Sequence, residues 1–151
     1  DQSLFARTIL DEKKGPPPEI NLFNEKNNGE SLLNLIDKNY IKSAHDISLG
    51  GLITALSKMC IKGNKGIKLN KPKNLINEIE YYFSEDQGRY LIEITPKDFE
   101  KVTDILNKNS VHHEKLGVII KNEMIINDKT KVTIDELKSY NTSWLVNYMS
   151  S

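Results

Sequence analysis

The sequence predicts an α+β fold, a mixed β-sheet with helices packed on it. Three observations predict it. A strand-like run at Ser43–Ile47 is followed by Leu52, Ile53, Leu56, Met59 and Cys60 at helical spacing, so strand and helix alternate in the middle of the chain. Short strand-like runs then crowd between residues 111 and 134, ahead of a closing helix. The chain has 151 residues, the size of one domain, and can bury a core without disulfides or metals. A sheet covered by helices is the economical way to bury such elements.

Each element has its own signal. Leu4, Phe5, Ile9 and Leu10 predict a helix over Gln2 to Leu10. Asp11 to Pro18 break it, and Pro16, Pro17 and Pro18 impose a stiff, extended crossing. These prolines lack the flanking residues of a recognition ligand, so a rigid crossing is the better reading. Residues 1–20 thus form a leading helix and crossing, and residues 21–151 form the α/β domain, a single domain overall. Asn21 is placed to cap a helix over Leu22 to Lys38, with Phe23, Leu32, Leu33, Leu35 and Ile36 as its buried side. Gly29 weakens that helix slightly.

After the central strand and helix, Gly63 to Gly66 read as a turn or helix C-cap, and Ile67 to Leu69 as a short strand. Pro72 sits at a first helical position, and Leu75, Ile76, Ile79 and Tyr82 carry a helix to about Phe83. Ser84 to Gly88 form a polar loop, and Arg89 to Ile94 a strand. Thr95 as cap, Pro96 at the first position and Asp98 in the first turn start a helix whose stripe is Phe99, Val102, Ile105 and Leu106. Val111 to Ile120 and Glu123 to Ile126 read as two strands joined in a hairpin through Lys121 and Asn122. Lys131 to Ile134 add a strand, and Asp135 to Met149 a helix carrying Leu137, Trp144, Leu145 and Tyr148.

Composition excludes some functions. Basic and acidic residues balance at 21 each, which argues against nucleic acid or a membrane surface as the main partner. No apolar run approaches the ~18 residues of a membrane span, and no signal peptide is visible. The one cysteine, Cys60, lies on an apolar helical face; it reads as a core residue in a reducing, cytoplasmic compartment. The chain begins at Asp1, without methionine and already in helical sequence, which suggests a piece of something longer.

Ser48 to Gly51 form the turn between the central strand and its helix. Paired glycines there remove Cβ atoms where a ligand or a neighbouring backbone comes close. The free N–H groups of a first helical turn favour an anion. A phosphate cradle and a plain packing turn both fit. His45 and Asp46 are neighbours in a strand, on opposite faces, so they form no dyad; His45 reads as structural, and Asp46 as a residue orienting the turn or approaching a metal. His112, His113 and Glu114 are consecutive and do not converge on one ion. Glu85, Asp86 and Gln87 project from a loop just before a strand, a common place for functional side chains. No nucleophile–base–acid set and no Walker-type loop is present.

The stretch His45-Asp-Ile-Ser-Leu-Gly-Gly-Leu52 resembles a signature of the aminoimidazole ribonucleotide synthetase C-terminal domain superfamily. Asp1 to Arg7, Gly15 to Pro18 and Asn21 to Gly29 resemble the start of the last domain in its phosphoribosylformylglycinamidine synthase family. Phe83 to Leu91 is similar to that family's Glu-x-Gln-x-Arg loop and strand, Leu116-Gly-Val118 to a later strand, and Leu137 to Met149 to its terminal helix. The resemblance covers nearly the whole chain in order. It implies a three-layer α/β/α domain within an ATP-dependent C–N ligase of purine biosynthesis. That enzyme converts formylglycinamide ribonucleotide, ATP and glutamine-derived ammonia to formylglycinamidine ribonucleotide.

The resemblance implies ATP and Mg2+ as cofactors of the longer enzyme. Its partners would be upstream domains, a glutaminase subunit and a small bridging subunit. The family's catalytic histidine and main metal-binding acids lie in earlier parts, so no catalytic or metal residue is expected here, and the fragment alone is expected to be inactive. The implied substrate-binding residues are Asp46, Ser48, Gly50, Gly51, Glu85, Gln87 and Arg89. They belong to the second half of a pseudo-symmetric pair, which either holds substrate or is structural. Leu49 replaces the polar residue usual before the glycines, so position 49 is not counted among the implied ligand-contacting side chains. The alternatives are another synthetase or kinase of the superfamily, such as an aminoimidazole ribonucleotide synthetase, or a non-catalytic domain that completes the pseudo-dimer. The Pro16 to Pro18 crossing and the Trp144 helix speak against the first.

Overall fold

The computed structural model describes residues 3–70 and 77–150. Asp1, Gln2, Pro72, Leu75 and Ile76, all given roles by the sequence reading, lie outside the described residues. The fold is α+β, and the chain divides into two compact units. The first runs to Ala55 and resumes over Asn77–Glu114; the second runs from Leu56 and resumes at Lys115.

In the first unit, α1 (Leu4–Thr8) is shorter than the expected helix and is capped by Ser3, whose Oγ accepts from the Ala6 N–H at 3.2 Å. α2 (Leu22–Asp37) starts where the sequence placed it, with Asn21 Oδ1 accepting from the Asn24 N–H. Its buried face is the expected one only in part: Leu35 is on it and Leu32 is half-buried. Ser31 and Leu35 are each 1% exposed, whereas Phe23, Leu33 and Ile36 are exposed. The inward stripe is Asn27, Ser31 and Leu35, four residues apart. Asn109, the C-cap of a later helix, donates to Ser31 Oγ at 3.0 Å, and Asn27 donates to the Asn109 carbonyl. A half-polar stripe satisfied by its partner carries little apolar periodicity, so the pattern found Leu35 and set Phe23, Leu33 and Ile36 on the wrong side.

β1 (Ile41–Asp46) pairs antiparallel with β3 (Tyr90–Ile94) as a two-stranded sheet. Between them in sequence lies α4 (Glu78–Phe83), capped by Asn77. A 3-10 turn at Pro96–Asp98 leads into α5 (Phe99–Lys108); Thr95 donates to Asp98 Oδ2 at 2.6 Å instead of capping backbone. Leu35, Val102 and Leu106 form the core, with Tyr40, Ile41, Ile92, Ile94, Ile105 and Val111 around them. Phe99, expected in that stripe, is 38% exposed.

α3 (Gly51–Gly63) begins in the first unit and ends in the second. The second unit continues with β2 (Gly66–Leu69), β4 (Gly117–Ile120), β5 (Glu123–Ile126), β6 (Thr130–Thr133) and α6 (Ile134–Met149). Its sheet has the order β4-β2-β5-β6. Two expectations are corrected here. Residues 111–116 are not a strand, and β4 and β5 do not form a hairpin. β2 lies between them, antiparallel to β4 and parallel to β5. Lys121 and Asn122 therefore cross the end of β2, with Asn122 at φ 58°. Gly66, read as part of a cap, opens β2 at that crossing; a Cβ there would overlap the Glu123 backbone. The hairpin is β5–β6, turned by Asn127 and Asp128, both at positive φ, as primed turns require. Met124, Leu69 and Ile134 are buried in this unit. α6 opens with a capping box between Thr133 and Glu136.

Candidate functional site

The site is built where β1 and β3 end. Their antiparallel register sets Asp46 opposite Tyr90, and the Ile47 N–H donates to the Arg89 carbonyl at 2.9 Å. The turn after β1 and the loop before β3 therefore leave the sheet side by side. Between them is an open cleft of about 350 Å³, lined by Asp46 to Leu49, Glu85 to Tyr90, and Glu25 of α2. Of the seven residues expected from the sequence, Asp46, Ser48, Glu85, Gln87 and Arg89 line this cleft. Gly50 and Gly51 do not line it; both are buried behind the turn.

The glycines are required by the backbone. Gly50 sits at φ +84° and Gly51 at φ +70°, a region that side chains with a Cβ rarely adopt. A Cβ on Gly51 would also stand 2.7 Å from the Phe83 backbone. The close approach at this position is by a neighbouring chain segment, which is the packing reading of the turn. The Gly51 N–H donates to the Ser48 carbonyl at 2.9 Å and closes the turn.

The anion facing the turn is supplied by the chain itself. Glu85 Oε1 accepts from the Gly50 N–H at 2.9 Å and from the Leu4 N–H at 2.7 Å. One carboxylate oxygen thus ties the glycine turn to the start of α1. Phe5 packs tilted against Phe83 with ring centroids 4.4 Å apart and holds the same junction from the apolar side.

Arg89 is also engaged by its own loop. Its Nη2 donates to the Ser84 carbonyl at 2.6 Å and to Ser84 Oγ at 3.1 Å, and lies 3.7 Å from Asp86 Oδ2. Ser84 Oγ donates to that same Asp86 oxygen at 2.9 Å. Arg89 Nε is buried and makes no hydrogen bond to the described residues. Gly88, at φ +66°, is pinned to α2 by the Asn28 side chain, which donates to its carbonyl at 3.0 Å. Asp86 was singled out with its loop but not among the implied substrate-binding residues; Ser84, Gly88 and Glu25 were missed as site residues. Gly88, one residue before Arg89, was the available signal for the loop's sharp turn.

His45 differs from expectation. Its Nδ1 lies 2.6 Å from the Asp46 carbonyl oxygen and 3.3 Å from Asp46 Oδ1. The imidazole folds back along the chain at the strand's last residue, so strand alternation does not separate the two side chains there. His112, His113 and Glu114 are exposed; His113 contacts the Val111 carbonyl, and Glu114 accepts from the Tyr81 hydroxyl at 2.9 Å. Burial, then Glu114, push the Tyr81 hydroxyl well above its ordinary range. No group of three His, Cys, Asp or Glu side chains suited to a metal ion occurs among the described residues. No helix among them is long and apolar enough to cross a membrane. The charged residues lining the cleft are Glu25, Asp46, Glu85, Asp86 and Arg89, and of the four acids Asp86 lies 3.7 Å from the guanidinium.

The profile of the family described as AIR synthase related protein, C-terminal domain, matches residues 2–129. The chain belongs to this family. Among its relatives, the phosphoribosylformylglycinamidine synthase subunit PurL of Pelagibacter ubique is 65% identical over 151 residues, all of this chain and 21% of that protein. The PurL subunit of Bartonella bacilliformis is 35% identical over 150 residues, 99% of this chain and 20% of that protein. The chain spans about a fifth of the length of these relatives. Thermotoga maritima PurL complexed with FGAR has the same fold, with a TM-score of 0.72 at 20% identity over 88% of this chain and 24% of that one. The same protein complexed with ATP gives a TM-score of 0.66 at 21% identity, over 76% of this chain and 22% of that one.

Proposed function

We propose that this chain is the last domain of a phosphoribosylformylglycinamidine synthase, working in the cytoplasm as part of an ATP-dependent C–N ligase. The whole enzyme would convert formylglycinamide ribonucleotide and glutamine-derived ammonia to formylglycinamidine ribonucleotide. The observation that carries this reading is the 65% identity to a synthase subunit, sustained through all 151 residues. The reaction needs an amide oxygen made into a leaving group, and ATP with magnesium supplies that chemistry. The family resemblance assigns the main Mg2+ ligands to earlier parts of the enzyme. Partners on this reading are the upstream domains, a glutaminase subunit and a small bridging subunit.

Within the enzyme, Asp46, Ser48, Gln87 and Arg89 are the residues offered to a ligand. The carboxylate-rich lining disfavours a phosphate and suits the hydroxyl and amide groups of a ribonucleotide. Glu85, Gly50 and Gly51 support the turn from behind. A second reading, a domain that only completes the pseudo-dimer, is favoured by the use of Glu85 on the Leu4 and Gly50 N–H groups.

The test is a chimera in which this chain replaces the matched fifth of the P. ubique subunit. ATP- and ammonia-dependent amidine formation is expected from the chimera and none from the 151 residues alone. A folded chimera that does not turn over, where its parent does, sinks the assignment. Arg89→Ala then separates the two readings. A raised KM for the ribonucleotide supports a working half-site, and unchanged kinetics support the structural one.

A further inference from the structure

Helix α6 carries an apolar face that starts in the core of its unit and runs out of it. Ile134 is 3% exposed and Leu137 is half-buried. Tyr140, Trp144 and Tyr148 continue the same face at four-residue spacing and are 76%, 67% and 66% exposed. Trp144 and Tyr148 stack, with centroids 5.5 Å apart. Leu145 and Met149 widen the stripe and are also exposed. Only Val146, among the exposed apolar residues here, lies on the opposite side of the helix.

We propose that this face is a docking helix, and that its occupant is another segment of the same, longer synthase polypeptide. The proposal rests on the functional reading above. Two observations favour this occupant. The family profile ends at residue 129, before α6, while the match to the P. ubique subunit runs through the whole helix. The helix therefore travels with a polypeptide of which this chain is 21%, leaving ample chain to cover it. Residues 139–150 carry no charged side chain, so the surface they meet is uncharged and apolar. The absence of Lys and Arg there argues against a membrane surface, where such helices carry a basic flank.

Amide hydrogen exchange over residues 138–150 tests the proposal, compared between the 151-residue chain and the chimera with the P. ubique subunit. Exchange in α6 is expected to be fast in the chain alone. In the chimera it should slow by roughly tenfold or more, the factor that burying one large side chain supplies. Trp144→Ser with Leu145→Ser should restore fast exchange in α6 while leaving β5 protected, and Val146→Ser should change neither. Equal, fast exchange in both proteins overturns the proposal. So does protection already present in the chain alone, which assigns the face to a second copy if it depends on concentration and to this chain's own surface if it does not. Amidine formation is read on the same samples. Protection without turnover leaves the docking helix standing and sinks the functional reading; turnover without protection does the reverse.

Discussion

Glu85 decides the character of the cleft at the residue scale. Its Oε1 holds both the Leu4 and the Gly50 N–H, so it is committed to the junction of α1 with the glycine turn. Glu85→Ala leaves two donors without an acceptor; faster proteolysis within residues 3–10, with the β5 amides unchanged, is the expected result. Gly51→Ala forces a Cβ into φ +70° against the Phe83 backbone. The backbone strain alone is worth about 1–3 kcal/mol, and a denaturation midpoint that does not move would refute this account of the turn. Cys60 is a core residue, as its place on an apolar helix face implied. Burial pushes its thiol up to about 11. The unfolded chain ionises nearer the ordinary thiol value, so stability should fall as pH rises above that value, and Cys60→Ala should remove this alkaline slope.

The elements follow local chemistry closely at their ends and less closely on their faces. α2, α3 and α5 end in one pattern. The residues just past them, Asn39, Asn64 and Ser110, sit at positive φ, and the next N–H reaches back to Leu35, Cys60 and Leu106. Within the stretch Gly63 to Gly66, read as a turn or cap, it is Asn64 and not a glycine that takes the left-handed position. α6 opens on its capping box, where the Thr133 hydroxyl and backbone N–H hold the Glu136 carboxyl below its usual range. A depressed carboxylate stabilises above its unfolded value and loses that contribution as pH falls through the folded one. Fraying of the first turn of α6 on acidification is therefore expected, and Glu136→Gln should abolish the pH dependence seen in its amide shifts. Leu35→Ala, in the first unit's core, should cost about 2–5 kcal/mol by chemical denaturation; substitution of the exposed Phe23 should cost far less in this chain.

For the whole molecule, the mixed α+β class was legible because most elements carried their own period or stop signals. The cleft was legible as two stretches, 45–52 and 83–91, and not as a cavity, since only the β1–β3 register brings them together. The two units have different sources of cohesion. Leu35, Val102 and Leu106 serve the first, and the β4-β2-β5-β6 sheet with Met124 serves the second. Gly66→Ala should disrupt the second unit selectively, because a Cβ there meets the crossing chain; loss of β2 and β5 amide protection, with β1 and β3 protection kept, is the expected pattern.

By itself the sequence determined the Asn21 cap, the glycine turn, most element positions and the family. These depend on residues near one another in the chain, where backbone conformation and hydrogen-bond capacity are local properties. Tertiary structure alone decided which strands are neighbours, which face of α2 is buried, and that Glu85 fills the turn's anion position. Strand order depends on contacts between distant segments: β2 enters between β4 and β5 although only two residues separate them, and no local pattern encodes that insertion. The buried face of α2 is set by Asn109, 78 residues from Ser31, and the Glu85 contact to Leu4 spans 81 residues. Polar contacts over such separations leave no hydrophobic period behind, so only the folded chain reveals them.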